Sequence, residues 1–222
     1  MTMPDGGSAG RLLAPRLELP GGDGAPPVIL ASASAPRARL LAAAGVRATQ
    51  EAAAVDEAEV KRSLAAEKAS AAQVAEALAE LKASKISRRH PEALVIGCDQ
   101  MLDCDGSWFD KPDSRAAARD QLLRLSGRRH RLVTAVVVLR RGERLWHHIG
   151  AATLAMRPLS PEFIDAYLDA AGDAALSSVG AYQLEGLGAQ LFARVDGDYF
   201  TILGLPLLPL LDFLRHHGVL PA

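Results

Sequence analysis

The stretch Ala93-Leu94-Val95-Ile96-Gly97-Cys98-Asp99-Gln100 passes from apolar residues directly to a carboxylate. The run from Ala93 to Cys98 is typical of a buried strand, because strands covered on both faces read as continuous apolar segments. Asp99 is then expected at the carboxyl end of that strand, where α/β sheets usually place the rim of a ligand crevice. A charged side chain seldom occupies such a position without a partner or a task, so Asp99 is the first candidate site residue. A cap of the following loop or helix is the alternative.

A second apolar run, Val28–Ala31, lies upstream and leads into the serine-rich turn Ser32–Arg37. This order predicts a strand, a turn and a helix, and the first turn of a helix presents unpaired N–H groups that favour phosphate. Ser32, Ser34 and Arg37 supply further donors. Turns with serine caps are common, so this segment alone leaves a phosphate site and an ordinary cap both open.

The alanine-rich stretch from Asp56 to about Ser87 has apolar residues at helical spacing and predicts one or two amphipathic helices. Two similar pieces lie inside it, Leu64–Ala69 and Leu78–Ala83. Their offset is about four helical turns, which predicts that Lys68 and Lys82 share roughly one face.

Downstream of Asp99, a turn through Asp105-Gly106 precedes Lys111-Pro112. A hairpin-like return would bring Lys111 back near Asp99, where it could bind a phosphate oxygen as a point charge. A solvated lysine before a turn proline is the alternative. The later segments predict strands at 132–139 and 145–156 and a helix through 161–168, so strands and helices interleave and the fold class is α/β.

The composition restricts the partners and the compartment. The 222 residues fit one large domain or two small lobes, and a net charge of −1 gives no basic field for a stable nucleic-acid partner. Cys98 and Cys104 match neither a zinc motif nor a disulfide framework, so a cytoplasmic location is expected. No apolar run reaches the roughly 18 residues of a membrane span, so no membrane partner is expected. Residues 1–27 are rich in Gly and Pro and are predicted to be a flexible N-terminal extension of a domain at 28–222.

Taken together and in order, the motifs of the chain resemble the Maf family of nucleoside triphosphate pyrophosphatases over about Val28 to Leu214. The motifs that carry the resemblance are Leu30-Ala31-Ser32-Ala33-Ser34, Asp56-Glu57, Leu78-Ala79-Glu80-Leu81-Lys82-Ala83, Ile96-Gly97-Cys98-Asp99, Lys111-Pro112, Leu125-Ser126-Gly127, Gly180-Ala181-Tyr182 and Gly204-Leu205-Pro206-Leu207. The resemblance implies a twisted mixed sheet flanked by helices, with two lobes around a nucleotide-binding cleft, similar to the inosine triphosphate pyrophosphatase fold. It also implies a homodimer.

The same resemblance implies the chemistry. The α–β bond of a nucleoside triphosphate substrate is cleaved to give the monophosphate and pyrophosphate, with a divalent cation, Mg²⁺ or Mn²⁺, as cofactor. Asp99 matches the catalytic aspartate, which accepts a proton or binds the metal, and Glu57 matches an acidic residue of the site and is the second metal candidate. Lys82, Lys111 and Arg37 would share charge neutralisation with the cation. Lys82 is preferred over Lys68 because its distance from Asp99 fits the family spacing.

Three positions depart from the family pattern. Pro36 stands where the family has the first arginine of Ser-Pro-Arg-Arg, so one phosphate contact is absent or comes from Arg39. Gln100 follows the aspartate where threonine is common, and Glu185 replaces a glutamine of the late glycine-rich loop. The last two changes resemble the branch that prefers 7-methyl-GTP over the branch that prefers dTTP and UTP. A carboxylate at Glu185 would accept hydrogen bonds from the N1–H and the exocyclic amine of guanine.

Two functions follow as hypotheses. The first is a pyrophosphatase that acts on non-canonical nucleotides, with a role in cell division arrest and with Ser32, Ser34, Arg37, Gln100 and Glu185 as substrate-binding residues. The alternative is a non-catalytic, nucleotide-binding regulator of septum formation, which the replacement at Pro36 favours.

Overall fold

A computed structural model describes residues 24–221 of the chain. The predicted extension at 1–27 therefore lies almost wholly outside the described residues. The strands are β1 (Val28–Leu30), β2 (Ala48–Gln50), β3 (Leu94–Cys104), β4 (Ser107–Phe109), β5 (Arg129–Arg140), β6 (Glu143–Met156) and β7 (Phe192–Asp196). The α-helices are α1 (Ala35–Ala43), α2 (Glu57–Ala66), α3 (Ala71–Ser87), α4 (Arg115–Leu125), α5 (Pro161–Ala171), α6 (Tyr199–Ile202) and α7 (Leu207–His216). Short 3₁₀ helices occupy Gly172–Ser177, Val179–Ala181 and Leu187–Leu191.

The strands form one seven-stranded sheet in the order β2-β1-β3-β5-β6-β7, and β4 pairs with β3 outside this path. β1 runs parallel to β2 and β3, whereas the pairs β3–β5, β5–β6 and β6–β7 are antiparallel. Helices pack on both faces. The predicted α/β class with a mixed sheet is confirmed.

β3 is longer than its apolar run, and the prediction that Asp99 ends the strand is wrong. The strand continues to Cys104 because the residues after Asp99 stay paired with β5. On the other edge of β3, pairing with β1 extends only as far as Ile96, and pairing with β4 starts at Leu102. Asp99 therefore lies in the middle of a strand, beside a gap in the sheet that opens where the parallel pairing stops.

The alanine-rich stretch forms two helices, as predicted, but they are not continuous. Lys68 has a φ of 58° and lies in the turn between α2 and α3. Ser70 and Gln73 then start α3 with a reciprocal capping box. The prediction that Lys68 and Lys82 share one helical face is wrong, because a residue in the left-handed region redirects the chain.

The apolar core is divided between the two ends of the long strands. Near β1, the sheet is covered by α3 on one face and by α1 and α7 on the other. At the opposite end, α4, α5 and the 3₁₀ segments pack around Leu102, Leu132 and Tyr182. These separate clusters correspond to the two predicted lobes, joined by β3, β5 and β6. Within residues 24–221, no helix is both long and apolar enough to cross a membrane.

Candidate functional site

The gap beside β3 opens into a cleft of about 770 Å³, a volume in the range of small-molecule sites. The cleft is bordered by the start of α1, by α2, by the loop after β4, by the segment around Glu185 and by the turn between α6 and α7. The predicted site residues that line it are Ser34, Arg37, Glu57, Asp99, Gln100, Lys111 and Glu185.

Lys82 joins the two predicted carboxylates at the floor of the cleft. Its Nζ lies 2.6 Å from Asp99 Oδ1 and 2.7 Å from Glu57 Oε1. Lys82 and Asp99 are buried, whereas the Glu57 side chain is 45% exposed. The second oxygen of Asp99, Oδ2, is buried and has no hydrogen-bond partner within the described chain. Lys82 therefore neutralises carboxylates here, whereas the family resemblance assigned it to the phosphates.

The absence of a side chain at Gly97 allows Lys82 to reach Asp99. Residues two apart on a strand share a face, so Gly97 and Asp99 both point toward α3. A Cβ at Gly97 would lie 2.0 Å from the carbonyl oxygen of Ala79 and 2.8 Å from the Cβ of Ala83. The missing side chain lets the helix backbone approach the sheet directly, and Lys82 is carried to Asp99 by this close packing.

The three groups shift one another's ionisation. Burial raises the pKa of Asp99 above its ordinary value, although the charges of Lys82 and Arg37 oppose the rise. Burial alone would lower the pKa of Lys82, but the charges and hydrogen bonds of Asp99 and Glu57 raise it. Desolvation opposes the ionisation of Glu57, yet the hydrogen bond and charge of Lys82 lower its pKa. The floor of the cleft thus combines a lysine held in its charged form with a carboxyl group whose proton affinity is increased.

The predicted hairpin brings Lys111 to the same cleft. β4 turns back along β3, with Trp108 opposite Asp103 and Phe109 opposite Leu102. Lys111 lies two residues after Phe109. Within residues 24–221, Lys111 has no hydrogen bond or ion pair. Desolvation in the cleft and the positive charge of Arg37 lower the pKa of Lys111. Its ammonium is therefore available to an anion.

Some hydrogen-bond donors of the serine-rich turn bind other parts of the protein, whereas others line the cleft. Arg37 is buried and donates from Nε to Gly204 O at 2.7 Å and from Nη1 to Cys98 O at 2.9 Å and Ser32 Oγ at 3.0 Å. Ser32 Oγ also accepts from the Ser34 N–H at 3.2 Å. Ser32 thus supports the turn from beneath, whereas Ser34 lines the cleft and its hydroxyl makes no cap hydrogen bond.

Pro36 occupies the first turn of α1, where a missing N–H leaves no helical hydrogen bond unmade. It lines the cleft beside the exposed Arg39. Arg39 is therefore placed where it can replace the guanidinium that the family pattern has at the position of Pro36.

Gln100 points to the opposite face of β3 from Asp99. Its Nε2 donates to Thr134 Oγ1 at 2.8 Å, to Thr201 O at 3.0 Å and to Ile202 O at 3.1 Å. The amide nitrogen is therefore occupied in holding α6, and its oxygen is the group left for a ligand. Glu185 lies exposed on the far wall of the same cleft.

The wall that carries Glu185 is anchored by a buried pair. Tyr182 directly precedes this loop and its hydroxyl lies 2.8 Å from His130 Nε2. His130 is 2% exposed, and burial lowers its pKa from 6.5 to about 4. Gly180, with φ 78°, has Leu102 Cδ1 at 2.5 Å from where a Cβ would be, so glycine is required there. The loop is thereby packed on the apolar cluster around Leu102 and Leu132.

Few side chains at the cleft could act as ligands of a metal ion. No group of three or more His, Cys, Asp or Glu side chains able to hold a metal occurs within residues 24–221. Glu57 and Asp99 are the nearest pair, each on Lys82. Mg²⁺ is usually bound by one or two carboxylates together with water and substrate phosphates. The unpartnered Asp99 Oδ2 and the half-exposed Glu57 therefore fit a cation that is shared with a phosphate ligand, and do not form a complete protein cage.

Sequence reasoning missed Lys61, which lines the cleft, and Gln50, which supports the turn beside it. Lys61 forms an ion pair with Asp110. A signal existed for Lys61, since it stands four residues after Glu57 and so shares its helical face. Gln50 supports the serine-rich turn by donating to Ser32 O at 2.7 Å, and no sequence signal pointed to it.

The chain is similar to known proteins over most of its length. The family profile described as Maf-like protein matches residues 27–217. A relative from Paramagnetospirillum magneticum, named nucleoside triphosphate pyrophosphatase, is 62% identical over 192 residues, which cover 86% of this chain and 99% of the relative. A relative of the same name from Rhodospirillum rubrum is 57% identical over 195 residues, or 88% of this chain and 96% of the relative. One from Rhizobium meliloti, named 7-methyl-GTP pyrophosphatase, is 50% identical over 197 residues, or 89% of this chain and 99% of the relative.

The mixed sheet and its cleft define an α/β protein with a small-ligand site between two lobes. The profile match and the identities then settle the family: the chain belongs to the Maf family, as its motifs predicted.

Proposed function

We propose that the chain is a hydrolase of acid anhydrides, a nucleoside triphosphate pyrophosphatase that releases pyrophosphate and a nucleoside monophosphate. The observation that carries the proposal is Asp99, which is buried, has one oxygen fixed by Lys82 and one without a partner among residues 24–221, and lines a cleft of nucleotide size. The names of the relatives from Paramagnetospirillum magneticum and Rhodospirillum rubrum support the same reaction.

Asp99 acts as the proton acceptor. A water that attacks the α-phosphorus must lose a proton while the bond to the β-phosphate oxygen breaks, and Asp99 Oδ2 is free to take that proton. Burial raises the pKa of Asp99, which makes it a stronger base than an exposed aspartate. Lys82 holds Oδ1, so the carboxylate keeps a single orientation toward the cleft.

Fixed cations around the cleft neutralise the phosphates. Lys111 has no protein partner within the described residues, Arg39 is exposed on the wall, and the start of α1 adds N–H groups. Arg37 contributes its field and the atoms not bound to Ser32, Cys98 and Gly204. The cleft therefore supplies positive charge around the base, since Arg37 and Lys111 both interact with Asp99 electrostatically.

Glu57 would hold the divalent cation, Mg²⁺ or Mn²⁺, together with the phosphates, and Asp99 Oδ2 would be its second ligand in the alternative in which the cation, and not the carboxylate, activates the water. When bound, such a cation supplies charge neutralisation and lowers the pKa of a coordinated water. Glu57 keeps a low pKa through Lys82, so it stays ionised and able to bind a cation at neutral pH.

Gln100 and Glu185 support a preference for a methylated guanine nucleotide. Both line the cleft, Gln100 keeps its amide oxygen as an acceptor while its nitrogen is used within the protein, and Glu185 carries an exposed carboxylate. A guanine edge offers two adjacent donors, whereas uracil or thymine offers one. The name of the Rhizobium meliloti relative, 7-methyl-GTP pyrophosphatase, supports this choice.

The decisive experiment measures pyrophosphate release with Mg²⁺ or Mn²⁺ over a panel of 7-methyl-GTP, GTP, dTTP and UTP. We expect turnover by the wild type and its loss in Asp99→Asn. Asp105→Asn is the matched control, because it makes the same charge change at an exposed turn and asparagine tolerates the φ of 51° found there. A wild type that binds triphosphates without releasing pyrophosphate would favour the nucleotide-binding regulator of septum formation. Much faster hydrolysis of dTTP and UTP than of either guanine nucleotide would refute the base preference alone.

The homodimer and the cytoplasmic location remain predictions from the family resemblance and the cysteine usage. The mass in solution and the partition of the protein in fractionated cells test them.

A further inference from the structure

Lys61 and Asp110 face each other across the mouth of the cleft. Lys61 lies on α2, one helical turn after Glu57, and Asp110 lies in the loop after β4, directly before Lys111. Lys61 Nζ contacts Asp110 Oδ1, and both residues line the cleft. The Lys61 side chain is 17% exposed, whereas that of Asp110 is 71% exposed. The lysine is thus sheltered against the wall while its partner is open to solvent.

The cations of the cleft differ in how firmly the protein holds them. Lys82 is bound by two carboxylates, and Arg37 by three oxygen acceptors. Among the described residues Lys61 pairs with one carboxylate, that of Asp110, which is 71% exposed, so water and salt screen the pair from that side. A multiply charged phosphate chain competes well for such a lysine, since several anionic oxygens replace one.

Lys61 already acts on the site through its charge. It stands on the same face of α2 as Glu57, and its ammonium is among the charges that lower the pKa of that carboxyl group. Its position is therefore close to the groups that face a phosphate in the cleft. Asp110 is also held through its backbone, since Gln121 Nε2 donates to Asp110 O at 2.9 Å, so the loop does not depend on Lys61 alone.

We propose that Lys61 is a further substrate-binding residue, a cation that Asp110 holds in the free protein and releases to the polyphosphate chain. This inference rests on the proposed function for the identity of the substrate, but it concerns anion binding and not hydrolysis. Asp110 competes with the ligand for Lys61, so removing the lysine weakens binding whereas removing the carboxylate does not.

The test measures binding of inorganic tripolyphosphate, with Mg²⁺, to the full chain by calorimetry. The variants are Lys61→Met, Asp110→Asn and the double variant. Lys68→Met is the matched control, since Lys68 lies outside the cleft in a groove beside Trp108. We expect Lys61→Met to weaken binding about fivefold to tenfold, as for the loss of one charge-assisted contact. Asp110→Asn should retain or strengthen binding, and the double variant should resemble Lys61→Met. Lys68→Met should stay within about twofold of wild type, as for a surface change away from a ligand.

Equal weakening by Lys61→Met and Asp110→Asn would overturn the proposal, because it would make the pair a strap that positions Lys111. Unchanged binding in Lys61→Met, or no measurable binding by the wild type, would overturn it as well. Thermal unfolding midpoints near that of wild type show that each variant is folded. If tripolyphosphate binding follows the expected pattern while nucleoside triphosphates are not hydrolysed, the role of Lys61 stands and the proposed reaction fails. If turnover is normal and binding ignores Lys61, only this inference fails.

Discussion

The Nζ atom of Lys82 lies 2.6 Å from Asp99 Oδ1, and both side chains are buried at the floor of the cleft. Removing one member of a buried ion pair leaves the other without its counter-charge. We expect Lys82→Met to lower the free energy of unfolding by about 3 kcal/mol, part of the loss being offset when Asp99 takes up a proton. It should also lower kcat by about 100-fold, because the protonated carboxyl cannot accept the proton of water. Urea unfolding and pyrophosphate release measure the two effects.

Lys82→Arg is the control for this change. Arginine keeps the positive charge and can donate to both Asp99 and Glu57, so a substantial part of the stability should return. If Lys82→Met and Lys82→Arg were equally unstable, packing of the lysine stem and not its charge would be responsible.

Gly97→Ala tests whether close packing of α3 creates the site. The added Cβ would meet Ala79 O at 2.0 Å, so the helix must move. Overpacking of this kind typically costs about 1–3 kcal/mol, and the displacement should draw Lys82 away from Asp99 and reduce kcat more than it changes KM. Gly186→Ala is the control, since the nearest atom to its Cβ would be Gln183 O at 3.9 Å. Full activity in Gly97→Ala would contradict the packing argument.

The periodicity of the sequence was sufficient to predict the secondary-structure elements, but not their relative orientation. Apolar runs and helix patterns predicted β1, β3, α2 and α3, because burial depends on local side-chain type. The prediction that Lys68 and Lys82 share a face failed because Lys68 has a left-handed backbone conformation. The apolar pattern contains no signal for that conformation. The prediction that β3 ends at Asp99 failed because pairing with β5 extends the strand, and that pairing joins segments that are distant in the sequence.

The candidate site was likewise predicted only in part. The family motifs indicated Asp99, Glu57, Lys82 and Lys111, and the structure brings all four to one cleft or its floor. The position of Ser32 beneath the turn was not predictable, because it follows from hydrogen bonds to Arg37 that form only when α1 packs on β3. The approach of α2 to the loop after β4, which pairs Lys61 with Asp110, depends in the same way on tertiary packing.

The pKa shifts at the cleft predict a bell-shaped dependence of kcat/KM on pH. Burial raises the pKa of Asp99, so activity should fall as pH decreases through a value above the ordinary range of aspartate. Desolvation and Arg37 lower the pKa of Lys111, so activity should fall as pH increases through a value below the ordinary range of lysine. Lys111→Arg keeps its charge at all working pH values and should abolish the alkaline decline while leaving the acidic one. An alkaline limb unchanged in Lys111→Arg would assign it to another group.

The buried pair of His130 and Tyr182 predicts an acid sensitivity of the fold. Burial lowers the pKa of His130 from 6.5 to about 4, so the unfolded chain binds more protons than the native one between these values. The contribution of neutral His130 is therefore complete above pH 6.5 and is lost as pH falls through about 4. The difference corresponds to about 3 kcal/mol. Urea unfolding at a series of pH values measures it, against a background set by the carboxyl groups of the chain.

Two variants separate His130 from that background. His130→Phe with Tyr182→Phe replaces both hydrogen-bonding partners by apolar rings, a change that can be nearly neutral at pH 7 because no buried polar atom is left unpaired. This double variant should lose about 3 kcal/mol less than wild type on acidification. Tyr182→Phe alone retains the buried histidine and should keep the full acid sensitivity. If the double variant declined as steeply as wild type, the acid lability would have to come from carboxylates such as those bound by Lys82, and His130 would serve only to place the loop that carries Glu185.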